Sequence, residues 1–300
     1  MGDASVDYFV RVPHLATADG KAIGRLVGVH GGGMSANLAA SAASAGAAVR
    51  LVTRVGADED GRNALAELAA LGVDVSQSLV ERAGRTWLCF VQLDGTGEKA
   101  LVGADTGLKF PAVADAAVPT GSSELVALLA DDAQWAGEIA VAARAEGHRV
   151  AIDLEPDAVR PGDTDYERLI GAVDIVFMNH AAATLLGGEH AAARELLARG
   201  VSVLVISAGA AGATVRTNDD VVLHAKAAAP VDVVDTTGAG DALAGTMLGA
   251  LASGRNLADA LAEGVRAASR CVGHIGGRSH LAHPGAPTVE LIQTTENAAG

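Results

Sequence analysis

The stretch VDVVDTTGAGDALAGTMLGALASG, residues 231–254, decides the fold of this chain. A β-branched run ends at Asp235, a Gly-rich turn spans Thr236 to Gly240, and an Ala/Leu helix follows from about Gly240 to Ser253. A helix N-terminus carries unpaired N–H groups and roughly half a positive charge, so it attracts anions. Gly238 and Gly240 let backbone approach a ligand closely, and Ala239 adds no bulk. The turn therefore presents the N–H groups of residues 238–241 to something negative, with the carboxylate of Asp241 at the same point. An acid at a helix start is also ordinary capping, and taken alone the position fits either reading. A phosphoryl group held by the amides, with Asp241 accepting the proton of an attacking hydroxyl, uses both features.

Outward from this turn, short β-branched runs alternate with Ala-rich helical stretches, the pattern of a parallel sheet covered by helices. Strands are expected at Val49–Val52, HRVAID, DIVFMN and VSVLVIS, with helices over about 61–71 and 135–146 and in AAATLLGG and ARELLARG. TVRT and VVLHA are short and read as antiparallel strands. A last helix runs from about Asn256 to Val272, with Asn256 as N-cap and Gly254 just past the preceding helix. Two regions break the rhythm: DYFVRVPHL with KAIGRLVGV, and TWLCFVQLDGTGEKALVGA. They read as strands of a small projecting sheet, with DGTG as a hairpin signal.

The 300 residues carry 22 Lys plus Arg against 36 Asp plus Glu, a formal charge of −14, which argues against a nucleic-acid or anionic membrane surface. Half of the residues are hydrophobic, enough for a sizeable core. Two cysteines, Cys89 and Cys271, are too few for a disulfide framework and suit a reducing compartment. The acidic start MGDASVD does not read as a signal peptide, and no apolar run reads as a membrane span, so a cytoplasmic protein is expected. GxxxxGK[ST] is absent, HGGGMSANLA fails the GxGxxG spacing, and no HExxH or CxxC occurs.

DTTGAGD (235–241) resembles the C-terminal signature of the ribokinase (PfkB) family of sugar kinases, and GGMSANLAASAASAGAAVRLVTRVGADEDG (32–61) resembles its N-terminal signature. Both stand in the family's order and separation, and the similarity runs from Gly2 to about Pro284. The resemblance implies an α/β fold: one ribokinase-like three-layer α/β/α domain over residues 1–300, with a mostly parallel central sheet. A small projecting β-sheet lid would come from strands within about 7–30 and 86–104, often a homodimer contact. It implies ATP-dependent phosphorylation of a primary hydroxyl of a small sugar, with Mg²⁺ and K⁺ as candidate ions. Asp241 would be the base, and Gly238, Ala239 and Gly240 with Asp241 the anion hole. The sugar would meet Asp7, Gly32, Gly33, Asn37 and Glu98; the nucleotide would meet Asn179, Ser207, Gly209 and Gly212. Asp235 and Thr237 resemble a monovalent-cation site, with backbone near Gly276. As bare residues, Asp7 fits a strand end, Asn37 a helix cap, Glu98 a surface acid and Asn179 a turn.

Three departures stand out. Relatives usually carry Asn-x-x-Glu where this chain has Asn179-His180-Ala181-Ala182, and Gly-Ala-Asn where it has Thr106-Gly107-Leu108. The first motif's Gly is residue 2, so the true start lies upstream or the sheet tolerates a shortened strand. Two other readings stay open: a nucleoside kinase, which the few aromatics disfavour, and a non-catalytic binding homologue. Arg85 and His30 are expected near the sugar and would suit an acidic ketose.

Overall fold

The computed structural model describes residues 1–95, 99–116, 118, 125–229, 231–283 and 287–295. The first part holds β1 (Ser5–Arg11), β2 (Arg25–Gly32), α1 (Met34–Ser44), β3 (Val49–Arg50), β4 (Arg54–Gly56) and α2 (Glu59–Ala70). It continues through β5 (Val73–Asp74), β6 (Leu79–Glu81), β7 (Trp87–Leu93) and β8 (Lys99–Ala104). Next come β9 (Leu125–Ala130), α3 (Ala133–Ala145), β10 (Arg149–Leu154), α4 (Thr164–Ile170), β11 (Ile175–Asn179), α5 (His180–Leu185), α6 (Glu189–Ala198) and β12 (Val203–Ser207). The chain closes with β13 (Ala213–Thr217), β14 (Val221–Ala227), α7 (Ala239–Ala252), α8 (Leu257–Cys271) and β15 (Val289–Thr295).

The main sheet has the order β15-β14-β13-β12-β11-β10-β9. Strands β9 to β12 run parallel, whereas β13, β14 and β15 add antiparallel. Side chains alternate across it, as the two-residue strand period requires. Val150, Ile152 and Leu154 face Ile139, Leu169 and Leu196 of α3, α4 and α6. Ala151, Phe177 and Val205 face Met247 and Leu261 of α7 and α8. This gives the three α/β/α layers. The second sheet has the order β2-β1-β7-β8, with β1 parallel to β7 and antiparallel to β2. Phe9, Cys89, Val91 and Leu93 form its buried face.

Two strands of the main sheet escape the sequence reading, as do the short β4, β5 and β6. β9 is the run LVALLA, whose lack of alternation suits helix and strand equally. β15 lies beyond the helices expected to end the chain and pairs with β14. The expected strand at Val49–Val52 shrinks to the two residues of β3, paired with β5. Asn256 caps α8 by accepting from the Asp259 N–H, and Gly254 follows α7 at φ 82°, as expected. Along the edge strand β9 and the Val49–Val52 segment runs a mostly apolar cavity of about 660 Å³. Met1 and Gly2 lie at its margin: the Met1 amine donates to Ala127 O (2.6 Å) and Gly2 N–H to Val52 O (3.2 Å).

Helices α7 and α1 pack backbone against backbone. A Cβ on Gly245 would lie 2.2 Å from Leu38 O, and one on Gly249 2.5 Å from Ala42 O. The two glycines, one turn apart, let the helix backbones touch, and the chain of α1 answers with Leu38, Ser41, Ala42 and Ala45. Gly245→Ala is expected to cost about 1–3 kcal/mol by overpacking. Gly137→Ala in α3, where an added Cβ meets neighbours at an ordinary 3.5 Å, is expected to stabilise by about 0.5–1 kcal/mol. Urea denaturation of both variants checks the pair.

Candidate active site

Helix α7 is entered through Gly238, whose φ of 77° and backbone contact with Gly277 (2.4 Å from an added Cβ to Gly277 Cα) both demand glycine. No side chain caps this helix. Among the described residues the N–H groups of Gly240 and Asp241 have no backbone acceptor, and a Cβ on Gly240 would meet open space. The contrast with α1 is informative: there Asp3 reaches over and accepts from Met34 N–H (3.2 Å) and Ser35 N–H (2.9 Å). One helix mouth is closed by a carboxylate, and the other is left for an incoming anion.

The turn before α7 is braced from below. Fully buried Asp235 accepts from Thr237 N–H (2.9 Å) and Thr237 Oγ1 (2.7 Å) with one oxygen, and from Gly276 N–H (2.9 Å) with the other. The Cys271 thiol donates to Thr237 O (3.3 Å).

Asp241 is buried and accepts from Asn37 Nδ2 at 2.8 Å, a contact made across the glycine-bearing face of α7. Asn37 Oδ1 is buried and has no partner among the described residues, so one polar atom beside Asp241 is open to a donor. Burial pushes the Asp241 carboxyl up to about 8, against the opposing pull of the Asn37 donor. Asp7 is buried too. It accepts from Ser5 Oγ (3.0 Å), and burial pushes it up to about 6. Gly32 stands where any Cβ would lie 2.2 Å from Asp7 Oδ1.

A cavity of about 460 Å³ gathers most of the residues expected from sequence. Asp7, Gly33 and Asn37 line it on one side; Thr237, Gly238, Gly240 and Asp241 supply the anion turn. Asn179 and Ser207 line it at the carboxyl ends of β11 and β12, where parallel sheets bind ligands. The side chain of Asn179 also caps α5, accepting from Ala182 N–H (2.9 Å). Gly32, Ala239, Gly209 and Gly212 are not in its wall. Gly212 instead packs on β14, since a Cβ there would lie 2.0 Å from Ala225 O. Glu98 falls outside the described residues.

Other positions differ from expectation. Arg85 is exposed, and its charge acts on Asp58 and Tyr8, away from the cavity. His30 is paired in register with Asp7 but packs against Gly276 and Ser279 outside the wall. The cations that do line the cavity, Lys99 and Lys109, are missed by the sequence reading, as are Asp3, Asp153 and Glu155. Asp153 and Glu155 stand at the end of a parallel strand, and that placement is a usable signal. Burial raises both carboxyls, helped by their mutual proximity for Asp153 and by Asp131 for Glu155.

The profile of the pfkB family carbohydrate kinase matches residues 1–283. The chain is 29% identical over 299 residues to an ATP-dependent ribose-1-phosphate kinase of Halopiger xanaduensis, covering 97% of this chain and 95% of that one. It is 31% identical over 278 residues to a 2-dehydro-3-deoxygluconokinase of Thermoproteus tenax, covering 85% and 83%. The crystal structure of adenosine kinase from Sinorhizobium meliloti superposes with a TM-score of 0.75 at 26% identity, covering 94% and 95%. With the α/β/α layers and an uncapped helix mouth beside a buried carboxylate, the chain belongs to the pfkB family of carbohydrate kinases and is an ATP-dependent sugar kinase.

Proposed function

We propose that the protein transfers the γ-phosphoryl of ATP to a primary hydroxyl of a small ribose-, fructose- or ketosugar-acid-like substrate, with Asp241 as the base. The observation that carries this reading is the buried Asn37–Asp241 pair at the uncapped mouth of α7. An acceptor hydroxyl would sit between the Asp241 carboxylate and the open Asn37 Oδ1. Asp241 takes its proton, while the N–H groups of Gly240 and Asp241, on a turn shaped by Gly238 and Ala239, hold the phosphoryl oxygens. Asp7 accepts from other sugar hydroxyls, beside Gly32 and Gly33. Asn179 and Ser207 flank the nucleotide, and Gly209 and Gly212 shape the hairpin beyond it.

Mg²⁺ needs few protein ligands when it arrives on phosphates. Ala182 is fully buried and offers no oxygen, so Asp153 and Glu155 are the carboxylates that would hold the ion's waters. When bound, the ion neutralises phosphate charge. A K⁺ beside Asp235 and Thr237 would share oxygens that already accept three hydrogen bonds, and the transfer needs no step from it. A free sugar is favoured over a nucleoside, because Trp87 and Phe177 are the only aromatic residues in the described wall.

ADP formation over pentoses, ketohexoses, sugar acids and nucleosides tests the reading. Asp241→Asn is expected to lower turnover by about 10²–10⁴-fold with sugar affinity kept; near-normal turnover would refute the role. The base works only when ionised, so kcat/KM should rise with pH and level off above about 8, following the raised Asp241 carboxyl. Asn37→Ala removes a donor that favours the ionised form and should move that limb to higher pH. A pH–rate profile of both proteins decides it.

The proposal includes a homodimer through the second sheet. Val29, Tyr8, Phe90 and Val102 are register partners in one row across its outer face, and Val29, Phe90 and Val102 are 47%, 49% and 58% exposed. Sedimentation velocity should give a dimer, and Val102→Glu a monomer.

A further inference from the structure

Five carboxylates line the cavity (Asp3, Asp7, Asp153, Glu155 and Asp241) against two lysines. A triphosphate entering that wall meets like charge at short range, where low dielectric makes it costly. Lys109 is already committed: it pairs with Asp131 and lies over the rings of Trp87 (5.3 Å) and Phe110 (5.2 Å). Lys99 is different. It opens β8 on the second sheet, yet its Nζ reaches the main body and donates to Thr237 Oγ1 at 3.1 Å. Thr237 immediately precedes the Gly238–Asp241 turn, and its hydroxyl hydrogen is already given to Asp235. The lysine has three donors, one of them spent on this hydroxyl. No ion pair to Lys99 is present among the described residues.

We propose that Lys99 is a catalytic residue of the transfer, carried by the second sheet to the phosphoryl group as it crosses the Gly238–Asp241 turn. This rests on the kinase reading of the same site and adds a group to it. In the step, the bond from the γ-phosphorus to the β–γ bridging oxygen breaks and a bond to the acceptor oxygen forms. The acceptor's proton goes to Asp241, and Lys99 neither gives nor takes one. Its ammonium meets the charge on the equatorial oxygens, where the turn amides approach from the other side. Lys99 thus completes the cradle from the second sheet, while the amides come from the main body.

The test compares Lys99→Met and Lys99→Arg with wild type in kcat, acceptor KM, and affinity for ADP with and without aluminium fluoride, a planar phosphoryl mimic. Lys99→Met should lower kcat by about 10²–10³-fold, the usual loss on removing one preorganised donor. Acceptor KM should hold, and the tightening of ADP by aluminium fluoride should disappear while binding of ADP alone is kept. Lys99→Arg should recover part of each loss. A raised acceptor KM at unchanged kcat would assign the lysine to the sugar and overturn the proposal; so would equal weakening of ADP with and without the mimic. If Asp241→Asn is inactive and Lys99→Met is normal, the lysine's role fails and the kinase reading stands. A wild type that turns over no acceptor overturns both.

Discussion

Everything at the site depends on how close α7 can come to α1. Gly245 and Gly249 replace side chains with backbone contact, and that approach lets Asn37 on one helix bond Asp241 on the other at 2.8 Å. The two residues are 204 positions apart in sequence, so the pair exists only because the layers close correctly. Larger residues along the stripe would wedge the helices apart and separate the two groups without touching either. The core and the chemistry are thus one packing problem rather than two.

Desolvation then sets the character of the pair. Asp241, Asp7 and Asp153 are all raised by burial, which weakens their hold on charge and makes each a better proton acceptor than an exposed carboxylate once ionised. Such a wall is hostile to phosphate unless positive groups face it. The structure supplies them as dipoles at the mouth of α7 and as ammonium groups on Lys99 and Lys109. Attraction and repulsion meet at one point, since the N–H groups of Gly240 and Asp241 stand beside the Asp241 carboxylate.

How much of this is legible in the sequence depends on how local each feature is. The Gly-rich turn before α7, the α8 cap at Asn256 and the parallel strands β10 to β12 are written in contiguous residues, and they stand where the sequence puts them. β9 carries no alternation, and β15 lies past a helical pattern that reads as final, so neither has a local signature. Asp7, Asn37 and Asp241 are legible only through motif resemblance, since each alone reads as a cap or strand end. Lys99 and Lys109 have no signal: Lys99 reaches the cavity from the second sheet and Lys109 from the segment after it, placements no short window encodes. Arg85 and His30 fail on local placement: Arg85 lies exposed before β7, and His30 shares Asp7's face of the second sheet but packs on Gly276 and Ser279 instead of the cavity. Gly212 shows another ambiguity, in that a glycine demanded by a neighbouring strand looks identical, in sequence, to one demanded by a ligand.

A segment such as Thr236–Gly240, rich in glycine, has more freedom to lose than almost any other five residues. The buried Asp235 carboxylate removes that freedom in advance by tying Thr237 to Gly276, 41 positions away from the carboxylate in sequence. The entropic cost of arranging this turn is therefore met once, when the polypeptide folds, and would not recur with each binding event.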